Sequence, residues 1–212
     1  MFVPIIEKLK KINPNLDQEE EFEHYCQILP KMIANGHAAH QTIPGYKTTK
    51  PEIEAFRWFD GINIPVHGYC DHKGDNLIIE DKCKFPRRGR PKKDGTRSWL
   101  TSKLPENEPE PYNLLQIDFY YSVFKVPVYL CYINEESYKV FHADNCESLK
   151  PENIERRIPR IIQRCKVRQN IMTLGTDPKV IKDYIQPQFD HFFWTNELDP
   201  EYKQKAMRFW ED

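Results

Sequence analysis

Long apolar runs are missing from this 212-residue chain. That absence excludes a membrane-spanning helix, which needs about 20 consecutive apolar residues. The opening Met1-Phe-Val-Pro-Ile-Ile-Glu-Lys-Leu-Lys lacks a signal peptide's order of positive charge, apolar core and small-residue cleavage site. A protein that stays in the cytoplasm is expected. Six cysteines, at 26, 70, 83, 131, 146 and 165, contain no Cys-x-x-Cys pair. This spacing excludes a zinc ribbon and reads as free thiols of a reducing compartment. Internal repeats are also absent. Charge of one sign is not in excess: 31 Lys and Arg stand against 32 Asp and Glu, a formal −1. Whole-molecule charge therefore names no partner, and its distribution carries the argument.

What is present is a polar, aromatic-rich chain, 39% hydrophobic and 30% charged. That composition is one of a folded domain, not of disorder. The length suffices for one core, or one core with an appendage. The most informative stretch runs from His67 to Lys84. Val66 to His72 reads as extended, Lys73-Gly74-Asp75-Asn76 as turn chemistry, and Leu77-Ile78-Ile79 as a returning strand. A two- or four-residue loop pairs residues whose numbers sum to an odd value. Asp71 and Glu80 then stand opposite each other, and Asp71, Ile78, Glu80 and Lys82 share one face. Two carboxylates and a lysine at a hairpin end are costly to bury unless a cation sits between them. Two acids plus water suit Mg²⁺ or Mn²⁺.

Asp71 followed by Glu80-Asp81-Lys82 resembles the signature of the PD-(D/E)XK nuclease superfamily: an acid, a gap, then acid-x-Lys on the next strand. Cys70 replaces the proline that often precedes the first acid. Asp81 does not substitute for Glu80, because the lysine would then have to fall at Cys83. Two further spacings are similar to RecB-like and phage-type exonucleases. Gly36 precedes His40 by four residues, and Gln116 precedes Tyr120 by four. Arg90-Pro91-Lys92 follows the lysine as a comparable segment does in phage relatives. The Pro-x-Phe and Trp-rich tail from Ile185 to Trp210 also resembles theirs, and the order of motifs is similar to that of mitochondrial genome maintenance exonucleases. The three clustered C-terminal cysteines of iron–sulfur members are not found here.

The resemblance implies an α/β fold: a central mixed β-sheet flanked by helices, with a PD-(D/E)XK restriction-endonuclease-like core and the Asp71/Glu80 hairpin in its middle. It implies that Asp71, Glu80 and His40 hold Mg²⁺ or Mn²⁺. Lys82 would orient water and stabilise charge, and Gln116 and Tyr120 would position the strand or the carboxylates. A cytoplasmic enzyme of a bacterial or phage-infected cell follows.

Residues 1–34 form an N-terminal helical lead of short pieces punctuated by Pro14 and Pro30, and residues 35–212 form the nuclease domain. Pro51 to Phe59 is an aromatic core segment of helical or strand spacing. A basic loop at 84–103 carries Lys84, Arg87, Arg88, Arg90, Lys92, Lys93 and Arg97, and its Pro and Gly content excludes a regular strand or helix. These cations suit DNA phosphates, and Arg88-Gly-Arg-Pro91 has the core of an AT-hook, which lays arginines in the minor groove. Pro105 to Pro111 is an extended acidic linker. Leu115, Phe119 and Val123 mark one apolar helix face. Val126–Ile133 and Tyr138–His142 are strands joined by a turn, and a basic helix with Arg164, Lys166 and Arg168 follows Lys150. Three functions fit: a metal-dependent exonuclease acting on DNA, a nicking or sequence-preferring endonuclease of the same fold, and a DNA-binding protein without catalysis.

Overall fold

A 23-residue helix, α1, spans Glu19–Gln41 and contains Pro30. The sequence reading expected short pieces broken at this proline. A proline inside a helix removes one hydrogen-bond donor and crowds the preceding turn, at a cost of about 3 kcal/mol. Here burial offsets it, because Ile28, Met32 and Ala39 on this helix, with Ile43 just beyond it, pack against Leu77, Ile79, Cys131 and Ile133. The expected boundary between residues 34 and 35 therefore falls inside one continuous helix. The computed structural model describes residues 19–90, 92–93, 98–175, 177–184, 187, 189 and 200–211, so Pro14 lies outside the described residues.

Three strands follow: β1 (Lys50–Arg57), β2 (Val66–Gly74) and β3 (Leu77–Cys83). The short strands β4 (Arg87–Arg88) and β5 (Trp99–Leu100) pair antiparallel in a sheet of their own. This corrects the expectation that the basic loop holds no strand: its Pro and Gly residues lie between and beside the paired residues. Helix α2 (Pro111–Phe124) leads to β6 (Val128–Ile133) and β7 (Tyr138–Phe141). The main sheet has five strands in the order β1-β2-β3-β6-β7. Only β3 and β6 run parallel, and α2 is the crossover that parallel neighbours require. Helix α3 (Pro151–Thr173), the short α4 (Pro178–Ile181) and α5 (Pro200–Glu211) complete the order. The fold is α/β, a mixed sheet flanked by helices, and among the described residues no helix is long and apolar enough to cross a membrane.

Side-chain alternation divides the sheet between two layers. Leu77, Ile79, Cys131 and Ile133 meet α1. Ile78, Leu130 and Tyr132, at alternate positions, are fully buried on the other face, where Asn113 of α2 donates to the Tyr132 hydroxyl at 2.7 Å. The sequence pattern marked one apolar face on α2. In the structure Ile117, Asp118, Phe119, Tyr120, Tyr121 and Ser122 are all buried, as expected of a helix covered on every side. Asp118 is the charged residue among them, and Arg157 of α3 meets it with Nη2 at 2.6 Å and Nε at 2.9 Å.

The segment Pro51 to Phe59 is only partly core. Ala55 and Phe59 are buried, but Phe56, on the alternate side of the edge strand β1, is 49% exposed and Trp58, just past its end, is 58% exposed. Pro105–Pro111 is tied down and is not a free linker: Glu108 accepts from Ser148 Oγ at 2.5 Å, and Glu110 accepts from Lys84 at 2.5 Å.

Contacts divide the chain into two units, residues 1–58 with 65–161, and residues 59–64 with 162–212. Within the second, Asn63 N donates to Gln169 Oε1 at 2.6 Å, and Lys182 Nζ reaches Phe209 O at 3.3 Å. Arg164, Lys166 and Arg168 lie on the part of α3 that belongs to it. Residues 191–199 of the aromatic tail lie outside the described residues.

Replacing Arg157 by Met would strand a buried carboxylate without its cation. Urea unfolding at neutral pH is expected to show a loss of about 3–5 kcal/mol. The loss should shrink as pH falls and Asp118, already pushed up by burial, protonates. A neutral effect would show that the pair does not hold α2 to α3.

Candidate active site

The hairpin has the register expected of its turn. His72 pairs with Ile79, Lys73 with Ile78 and Gly74 with Leu77, so Asp71 stands opposite Glu80, one step beyond the last ladder pair. At that step the strands part. Asp71 Oδ2 accepts from the backbone N–H of Asp81 at 2.7 Å, so a side chain takes the place of a backbone acceptor. The Asp71 N–H in turn points to Glu80 Oε2 at 3.4 Å.

Asp71 lies where the side-chain alternation of β2 breaks, while Ile78, Glu80 and Lys82 keep the regular shared face of β3 that the sequence predicts. Gly68 presses on α2, where a Cβ would lie 3.4 Å from Tyr120 Cε1. His72 instead lies beside His40 of α1, with ring centroids 4.9 Å apart. In a regular strand residues 68 and 72 point the same way; here they reach opposite layers, so β2 turns over at Asp71. The turnover coincides with an irregularity of β1: Glu52 has a left-handed φ of 51°, and the β1–β2 pairing skips the Glu52–Asp71 step.

Glu80 is 2% exposed. Burial pushes its carboxyl up to about 7, against the pull of the Lys82 hydrogen bond. Lys82 Nζ donates to Glu80 Oε1 at 2.7 Å and to Gln116 Oε1 at 2.8 Å. Gln116 Nε2 donates to the Tyr120 hydroxyl at 2.9 Å, and that hydroxyl donates to the Tyr69 carbonyl. Burial pushes Tyr120 up to about 12, so it remains a proton donor. The chain of bonds anchors the lysine to the backbone of β2, two residues from Asp71. Of the expected site residues, Asp71, Glu80, Lys82, Gln116 and Tyr120 thus form one connected cluster. Gln116 and Tyr120 hold the lysine, rather than the carboxylates.

His40 arrives over the same strands but binds elsewhere. Gly36, one turn earlier, lets α1 approach the sheet: a Cβ there would lie 3.3 Å from Ile133 Cδ1. His40 Nε2 lies 3.0 Å from both oxygens of Asp81, and that hydrogen bond raises its pKa. Asp81 carries no role in the sequence reading. Alternation along β3 turns it away from Glu80 and towards α1, and that parity is the signal that could have found it. Among the described residues, the group of three potential ligands whose donor atoms all lie within 4.8 Å of one another is His40, Asp81 and Cys131, whereas the sequence reading grouped His40 with Asp71 and Glu80.

The basic segment is anchored at its base. Trp99 stacks on His24 of α1, with centroids 4.1 Å apart and planes 8° apart, and the Arg88 guanidinium lies 4.3 Å over the same indole. Arg88 is thereby folded against Trp99, not extended as an AT-hook requires. Gly89 is needed for the close pairing, since a Cβ there would meet the Ser98 carbonyl at 3.1 Å. Lys84 is already paired: both Glu110 oxygens take its ammonium at 2.5 Å, and the Tyr112 hydroxyl lies at 3.0 Å. Arg87, Arg90, Lys92 and Lys93 are exposed, while Arg97 and Pro91 lie outside the described residues.

No family model matches the chain, and no curated protein matches it. A solved structure titled "Crystal structure of SSO0001" is similar over 87% of this chain and 81% of its own, at 15% identity and a TM-score of 0.38.

The raised Glu80 carboxyl carries a pH signature. A carboxyl whose folded pKa lies above its unfolded value favours folding below the unfolded value, near 4.5, and loses that contribution as pH rises through about 7. Metal-free protein should therefore lose on the order of 3 kcal/mol between pH 4.5 and 8 relative to Glu80→Gln. Denaturation curves in EDTA at several pH values check this, and parallel pH profiles of the two proteins would refute it.

Proposed function

We propose that this chain is a metal-dependent deoxyribonuclease that hydrolyses DNA phosphodiester bonds, an exonuclease of the PD-(D/E)XK type. The observation that carries the reading is the Lys82 ammonium, held between Glu80 and Gln116 at 2.7 and 2.8 Å, where β2 and β3 part beside Asp71. A mixed sheet with this hairpin inside it and helices on both faces agrees with the fold that the resemblance implies.

The donor set fits a small hard cation. Asp71 and Glu80 offer oxygen from two strands, and a cation beside Glu80 would return a carboxyl raised to about 7 to its ionised form. Bound Mg²⁺ or Mn²⁺ would supply an activated water and polarise the scissile phosphate. Lys82, fixed at both its hydrogen bonds, places a positive charge where negative charge grows on the phosphate oxygens. Such preorganised groups contribute roughly 10²–10³ in rate. Gln116 and Tyr120 keep that ammonium from swinging. Arg87, Arg90, Lys92 and Lys93 of the basic hairpin would neutralise the phosphates of a bound strand.

Purified protein is to be incubated with Mg²⁺ and matched supercoiled, linear duplex and single-stranded DNA. Degradation confined to substrates with ends is expected, with a loss of about 10²-fold or more in both Glu80→Gln and Lys82→Ala, and none in EDTA. Conversion of the supercoiled circle to open circle, lost in both variants, would replace the exonuclease by a nickase. Absence of cleavage with either Mg²⁺ or Mn²⁺ would sink the enzyme reading.

Arg90, Lys92 and Lys93 replaced together by Ala should flatten the salt dependence of DNA binding. The slope of log affinity against log salt is expected to fall by roughly 2–3 if each contacts a phosphate. An unchanged slope would assign these cations to solvent.

A further inference from the structure

Asp81 and Cys131 stand directly opposite in the parallel β3–β6 ladder. Cys131 packs in the cluster beneath α1, and Asp81 points into that same layer, where His40 bonds it. His40 Nε2 lies 3.0 Å from both Asp81 oxygens, and the donor atoms of all three residues lie within 4.8 Å of one another. Ligands bonded to one zinc ion at about 2.0–2.1 Å stand roughly 3.3 Å apart in a tetrahedron. The imidazole and the carboxylate are already at that separation, and a modest approach of the sulfur closes the third side. His72 faces the same carboxylate from β2, with Nε2 3.9 Å from Asp81 Oδ2.

We propose that His40, Asp81 and Cys131, with His72 as fourth donor, form a site for a borderline-soft divalent cation of the Zn²⁺ or Co²⁺ class, distinct from the oxygen pair of Asp71 and Glu80. The donors are nitrogen, oxygen and sulfur, a set that selects such ions over Mg²⁺. On binding, the Cys131 thiol releases its proton to solvent and its sulfur lone pair forms the metal bond. The Nε2 proton that His40 shares with Asp81 is given up through solvent, leaving the neutral ring with its proton on Nδ1, and the freed Nε2 lone pair bonds the ion. The cation would tie α1 to β3 and β6. It would also hold His40 away from the neighbouring carboxylates. The site stands on its own residues, whether or not the chain cleaves DNA.

Metal-free, reduced, full-length protein is to be titrated with Co²⁺ and followed by absorption. Visible bands of tetrahedral intensity and a thiolate-to-cobalt charge-transfer band are expected, saturating at one ion per chain and displaced by Zn²⁺ but not by excess Mg²⁺. Cys131→Ala should lose the charge-transfer band. His40→Gln and Asp81→Asn should weaken Co²⁺ binding tenfold or more, whereas Glu80→Gln keeps the spectrum. Saturation of wild type without a charge-transfer band overturns the proposal. So does a spectrum lost in Glu80→Gln and kept in His40→Gln, which would assign the ion to the other pair. Should Cys131→Ala prove unfolded by circular dichroism, the wild-type charge-transfer band and His40→Gln decide. Cleavage in Mg²⁺ is read separately, so failure of either idea leaves the other intact.

Discussion

A carboxylate buried to 2% exposure, Glu80, imposes the constraint around which this structure is arranged. Left alone it would be neutral at physiological pH, because burial penalises its charge. Lys82 lies two residues along the same strand, and therefore on the same face. Its ammonium opposes the penalty without removing it, since the carboxyl still lies near 7. A long lysine side chain is itself entropically free unless tied. Gln116, Tyr120 and the Tyr69 carbonyl supply that tie. The crossover helix α2 is thus both the second wall of the core and the support of the lysine.

Adjacent residues of β3 serve different layers. Glu80 and Lys82 belong to the α2 side, while Asp81 belongs to the α1 side with His40, His72 and Cys131. Two clusters of titratable groups therefore sit back to back across a single strand, separated by one peptide unit. Asp71 joins them: its carboxylate holds the Asp81 N–H and its own N–H faces Glu80. A change at Asp71 would disturb both layers at once, through the backbone as much as through charge.

The basic hairpin is linked to the same framework by stacking. His24 and Trp99 lie 4.1 Å apart, and His24 belongs to the helix that also carries His40. The exposed Arg87 and Arg90 therefore flank a base fixed by stacking. Lys84, nearer the strand, is already matched by Glu110 and adds little to that charge.

Much of the hairpin could be read from residue order. Turn residues at 75–76 and the period of two in a strand determined that Asp71 faces Glu80 and that Glu80 and Lys82 share a side. The spacing of four from Gln116 to Tyr120 determined their common helix face, and apolar runs determined β3 and β6. These are short-range rules, so one sequence suffices to apply them. Tertiary structure alone decided the rest. The survival of α1 through Pro30 depends on what the helix buries, and the turnover of β2 at Asp71 goes with a left-handed Glu52 across the ladder. The pairing of His40 with Asp81, and of Lys84 with Glu110, joins residues 41 and 26 positions apart. Cys131 reaches Asp81 only through a parallel register set by packing after a crossover helix. No local period encodes such contacts, because they are chosen by which faces the chain buries together.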